Sequence, residues 1–197
     1  MPGEIKEGRK VKMSGELTSW QAVKARLDLE DNQEDKATGL IAVASRRAER
    51  YTGRLLAGRD GTLVMDGRAS DHLVLPQYPI NRIESVKVDP YRVFDGEPVT
   101  DYFADLGAGI LIRTAPHLWP LGVKNIQVTG NFGYGAIPED LEESVIQLVG
   151  YWLGSQGISW LGKGDAASGE YQTMYVGVMD LPFQVRNVWD SYREVSV

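Results

Sequence analysis

The segment from Ile137 to Ser155, I-P-E-D-L-E-E-S-V-I-Q-L-V-G-Y-W-L-G-S, constrains this chain more than any other. Leu141, Val145, Leu148, Val149 and Trp152 recur three or four residues apart and share one helix face, while Glu139, Asp140, Glu142, Glu143 and Gln147 lie off it. Pro138 suits the first turn, where its missing N–H needs no partner, and the early acids complement the positive end of the helix dipole. So broad an apolar face must be buried. The best partner is the segment Glu34 to Thr52, in which Ala37, Leu40, Ile41, Ala44, Ala48 and Tyr51 form a second stripe. Its alanines permit close packing, and Gly53 is placed to stop it. Everything between the two helices then becomes an insertion.

That insertion reads as β. The expected runs are Thr62 to Met65, His72 to Leu75, Ile80 to Val88, Arg92 to Phe94, Tyr102 to Phe103, Ile110 to Arg113, and Val123 to Phe132. Asp-Gly pairs at 60, 66 and 95 and Pro79, Pro90, Pro98, Pro116 and Pro120 punctuate them, as tight loops of a small antiparallel sheet or barrel require. Ile126, Val128 and Phe132 show the period of two of a strand with one buried face.

The flanks are less regular. Residues 1–16 are polar and carry Arg9, Lys10 and Lys12, which describes an arm that frays or orders against a partner. Thr18 or Ser19 can cap a short helix with Trp20, Val23 and Leu27 on one side. Five acids lie between Asp28 and Asp35, without the alternating pattern of a calcium loop, so a solvated turn is expected. Arg46, Arg47 and Arg50 lie off the second helix's stripe and suit its dipole, or a phosphate or acidic neighbour. Past a Gly/Ser-rich stretch from Gly154 to Gly169, Tyr171 to Val178 alternates. A last short helix then carries Leu181, Val185, Trp189 and Tyr192 at helical spacing around and after Pro182. This stripe either docks on a partner or packs back on the chain's own core. The fold class is therefore α+β: a flexible arm (1–16), a helical core (17–53 and 136–156), a β-rich insertion (54–135), and a loop with a C-terminal docking arm (157–197).

Composition removes much chemistry. With 197 residues, 43% of them hydrophobic, the chain can bury a core, and no cysteine is present for disulfide or thiolate chemistry. Only His72 and His117 offer imidazole, and neither has a second ligand at metal spacing. No apolar run is long enough for a bilayer and no signal peptide is apparent, so a cytoplasmic origin without a membrane partner is expected. A net charge of −6 argues against affinity built on phosphate neutralisation. Gly157 to Lys163 matches most of a phosphate-binding loop, but Gly164 stands where that loop needs Ser or Thr. Gly130 to Gly135 has the wrong glycine spacing for a dinucleotide fingerprint. No catalytic, cofactor or metal site is expected. A competing reading places a binding module or enzyme on the insertion, with Tyr91, Tyr102 and Trp119 as an aromatic surface.

The order of elements resembles the head-tail adaptor (connector) family of long-tailed bacteriophages and gene transfer agents. The matching pieces are L-T-S-W-Q-A-V-K-A-R-L-D-L from Leu17, A-S-R-R-A-E-R-Y-T-G-R-L-L from Ala44, and L-V-L-P-Q-Y-P-I-N-R-I-E-S-V from Leu73. They continue with V-T-G-N-F-G-Y-G-A-I-P-E-D-L from Val128, then G-D-A-A-S-G-E-Y and L-P-F-Q-V-R-N-V-W-D-S-Y-R toward the end. Tyr91 to Pro120 matches no part of this pattern. The resemblance implies a structural virion component assembled in the host cytoplasm: a homo-oligomeric, dodecameric ring below the portal protein and above the stopper or tail-completion protein. DNA would pass through its centre without sequence-specific binding. The C-terminal arm, through Leu181, Pro182, Val185, Trp189, Tyr192 and Arg193, would reach the portal or a neighbouring subunit. A stopper or tail-completion protein is the alternative within the same assembly.

Overall fold

The computed structural model describes residues 15–161 and 181–193, with side chains up to Gly154 in the first stretch. The basic arm before Gly15 and the alternating run Tyr171 to Val178 lie outside the described residues.

Three helices build the first unit. Helix α1 (Trp20–Leu27) is capped by Ser19, whose Oγ accepts from the Ala22 N–H at 3.2 Å. Helix α2 (Glu34–Thr52) follows a short 3-10 turn at Asp31–Gln33 and ends at Gly53, whose φ of 74° is the left-handed conformation that glycine adopts without a Cβ clash. Helix α3 (Glu139–Leu161) begins one residue after Pro138, so the proline stands at the cap and not inside the first turn, with its carbonyl accepting from Glu142 N–H at 2.9 Å. The helix also runs past Ser155. Its backbone stays helical over 157–161, the first part of the stretch that resembles a phosphate-binding loop, while residues 162–164 lie outside the described residues.

The two stripes meet as their periodicity requires. Ile41, Ala44 and Ala48 of α2 share one buried cluster with Leu141, Val145, Leu148, Val149 and Trp152 of α3, and α1 adds Val23. Leu17 joins them, its N–H bound to the buried Ser45 Oγ at 3.0 Å. Burial of a side chain such as Leu148 contributes about 1.5–3 kcal/mol, which is the driving force behind this packing.

The insertion forms two three-stranded antiparallel sheets. The first has the order β1 (Arg59–Gly67), β6 (Gly122–Phe132), β3 (Ile80–Val88), and the second β2 (His72–Val74), β5 (Ile110–Arg113), β4 (Tyr102–Asp105). Strand β6 is central, so its Val128 lies opposite both Leu63 and Val86. A second apolar cluster takes Val86, Ile126, Val128 and Phe132 from the first sheet and Leu73 and Leu111 from the other, with Trp119 fully buried among them. The Trp119 indole donates to the Leu111 carbonyl at 3.1 Å. The α+β class is thus the observed one.

One expected strand is absent. Arg92 and Phe94 have φ of 64° and 57°, outside any strand, because the Asp89 carboxylate accepts from the N–H groups of Tyr91, Val93 and Phe94, each at 2.8 Å. The run is a loop wound around one acid.

Candidate partner interface

Six residues of the C-terminal segment, Leu181, Pro182, Val185, Trp189, Tyr192 and Arg193, are the sequence-derived candidates, and the structure places them together along one element. Helix α4 (Phe183–Ser191) starts after Pro182, whose carbonyl accepts from Arg186 N–H at 3.0 Å. Its apolar stripe faces inward: Val185 and Trp189 are buried in the helical cluster, with Leu181 and Tyr192 packed at its margin. The Trp189 indole N–H donates to Ser144 Oγ at 2.9 Å, and that hydroxyl donates to the Leu141 carbonyl at 2.6 Å. A polar thread thus runs from α4 into α3.

The two tyrosines at the rim of this seat complete it. Tyr51 at the end of α2 donates to Asp190 at 2.7 Å, and Tyr192 donates to Asp140 at 2.6 Å. Burial, reinforced by Asp140, pushes the Tyr192 phenol well above its ordinary range, and the bond to Asp190 raises that of Tyr51. Arg193 lies 5.8 Å over the Tyr51 ring and 3.8 Å from Asp190. What remains outside is the other face of α4, led by Phe183 at 72% exposure and flanked by Gln184, Arg186 and Asn187.

Arg54 ties this arm to the β unit. Its guanidinium donates to the Tyr192 carbonyl at 3.1 Å and to the Tyr78 carbonyl, and stacks 3.6 Å from the Tyr78 ring centre. Sequence reasoning singles out Arg46, Arg47 and Arg50 and passes over this residue. Its one signal is position: an arginine directly after the helix-ending glycine.

A second surface was likewise missed. By register, the outer face of the second sheet carries the rows His72–Ile112–Phe103 and Val74–Ile110–Asp105, with Phe103 67% and Val74 52% exposed. Four of those six side chains are apolar, where a water-facing sheet ordinarily alternates to polar. The signal was the unbroken I-L-I of β5, which asks for cover on both faces. The aromatic surface envisaged on the insertion does not form: Trp119 is fully buried and Tyr102 packs against it at 6.2 Å, which leaves Tyr91 alone on the Asp89 loop. The histidines pair with acids of their own neighbourhood, His72 with Asp71 at 2.7 Å and His117 with Asp101 at 3.6 Å. Among the described residues no group of three or more His, Cys, Asp or Glu side chains is placed to hold a metal ion. Nor is any helix there long and apolar enough to cross a membrane.

Exposed apolar side chains thus stand on α4 and on the outer face of the second sheet, and comparison with known proteins finds the same fold. The chain is similar over 92% of its length to a chain in the neck of an empty GTA particle computed with C6 symmetry, of which it covers 91%, at 19% identity and a TM-score of 0.57. It is also similar to a chain in the neck of a native GTA particle computed with C12 symmetry: 19% identity, 94% of this chain, 97% of that one, TM-score 0.57. A chain from the virion of a native gene transfer agent particle gives 18% identity over the same shares and a TM-score of 0.58. No curated protein matches. The family model for head completion proteins matches residues 16–195, and the chain belongs to that family.

Proposed function

We propose that this protein is the head-tail adaptor of a phage or phage-like particle: a structural subunit that forms a ring of twelve between the portal and the stopper or tail-completion protein, with DNA passing through the ring. The observation that carries this reading is similarity, over 90% of both chains, to chains of GTA particle necks computed with C6 and C12 symmetry, joined to membership in the head completion family. Exposed apolar surface on a subunit of this size also favours an assembled state.

In this reading the C-terminal segment is the portal-facing arm. Val185 and Trp189 are occupied by the bundle in the isolated subunit, so they hold α4 in place while Phe183 and the exposed edge meet the partner. The acidic balance of the chain lets DNA pass a channel wall without adhering. The test is complementation. Particles assembled without this protein should be DNA-filled heads that lack tails, and adding the purified protein should restore tail joining. Tailed particles formed in its absence would overturn the reading.

A further inference from the structure

A ring of identical subunits joins each copy to the next through two different surfaces, one from each partner. Resting on the ring reading above, we infer that those surfaces are the outer stripe of α2 and the groove between α1 and α3 of the next copy.

The stripe consists of Lys36, Gly39, Val43, Arg46 and Arg50, spaced three and four apart along the full helix and all exposed. Val43 is 54% exposed, and Lys36, Arg46 and Arg50 have no hydrogen-bond or ion-pair partner among the described residues. The glycine is the informative member. Glycine inside a helix costs about 1 kcal/mol relative to alanine, and a Cβ added at Gly39 would meet nothing within 4 Å. Nothing in the subunit requires it. A bare backbone on an outward helix face admits close approach by a second helix.

The groove is complementary in charge and shape. It encloses about 390 Å³ and is lined by Ala22, Ala25, Arg26, Glu139, Glu142, Glu143 and Ile146. Its lining combines apolar Ala22, Ala25 and the buried Ile146 with three acids. Arg26 answers only Glu143, which it holds through two bonds of 3.0 and 2.9 Å, so the Glu139 and Glu142 carboxylates carry the net negative charge. Glu142 also accepts from Thr18 at 2.9 Å without losing that charge. Three unpartnered cations with one valine at their centre would meet carboxylates set beside apolar side chains. With each copy giving its stripe to one neighbour and its groove to the other, the contact is head-to-tail, as ring closure demands.

The chain has no native cysteine, so disulfide trapping reads the contact directly. V43C and A25C variants of the full-length protein, one carrying a mass tag, are mixed and oxidised with and without portal rings. The mixed dimer should exceed each homodimer at least tenfold, and adding G39L to the V43C chain should abolish the excess. G39A should raise the melting temperature of the subunit while reducing the mixed dimer, a split that a purely structural glycine would not produce. A mixed dimer at or below the statistical share, under both conditions, would overturn the assignment. If light scattering still shows rings on the portal in that case, the ring reading stands and only these surfaces are wrong; absence of rings as well removes the reading itself.

Discussion

The indole N–H of Trp189 donates to the Ser144 hydroxyl at 2.9 Å, both residues being buried, and this bond fastens the C-terminal helix to α3. Removing either partner has a different cost. S144A leaves a buried N–H unpaired and should destabilise the fold by about 1–3 kcal/mol, whereas W189A empties the seat and should cost about 3–5 kcal/mol. W189F removes the donor along with part of the volume, so S144A should cost less in the W189F background than alone. Urea unfolding of the four variants measures this; equal costs of S144A in both backgrounds would show that the bond contributes nothing.

Arg54 predicts a coupling between arm and β unit. R54A frees the Tyr192 and Tyr78 carbonyls at once and should cost about 1–3 kcal/mol. R54K keeps the charge but loses the planar fork that reaches both oxygens, so it should recover less than half of that loss. Hydrogen exchange would locate the effect, with faster exchange in both α4 and the β2–β3 connection.

The Asp89 loop should loosen in acid. Bonds from the Phe94, Tyr91 and Val93 N–H groups hold the Asp89 carboxylate below its ordinary range. A depressed folded value means that the stabilisation is complete above the unfolded pKa of about 3.9 and fades as pH falls from there through the folded value. Amide protection at Tyr91, Val93 and Phe94 should therefore be constant from neutral pH to about pH 5 and drop below about pH 4, with D89A unprotected throughout. Protection independent of pH across this window would contradict the assignment.

The exposed edge of α4 offers a test of the arm without damage to the fold. Phe183 is 72% exposed, so F183S should alter stability by no more than about 0.5 kcal/mol. Its association with isolated portal rings should weaken at least tenfold. Deleting 181–197 is the poorer experiment, because it also uncovers the apolar seat that Val185 and Trp189 fill.

Much of the fold was legible because its helices are amphipathic and its strands are short and punctuated. The apolar spacing in α2 and α3 names the partners that meet, and Ile80 to Val88 and Ile110 to Arg113 are strands with the bounds their residues suggest. What failed has a tertiary cause. Arg92 to Phe94 looks like a strand because its apolar residues say nothing of the Asp89 carboxylate that winds it into a loop. The α4 stripe is equally suited to its own bundle or a partner, and only packing decides that Trp189 finds Ser144. Arg54 has only its position after Gly53 to mark it, because a buried guanidinium held by two carbonyls leaves no periodic pattern in the sequence. The apolar outer face of the second sheet needed the β2–β5–β4 register before Val74, Ile110, Ile112 and Phe103 could be seen on one side.

The measurement that tests the central claim most directly is the mass of the purified protein by light scattering, alone and mixed with isolated portal rings. The account predicts a protein that joins each portal ring as about twelve added copies, in keeping with a closed cyclic assembly. A mixture whose components keep their separate masses, at concentrations well above those in an infected cell, would contradict it.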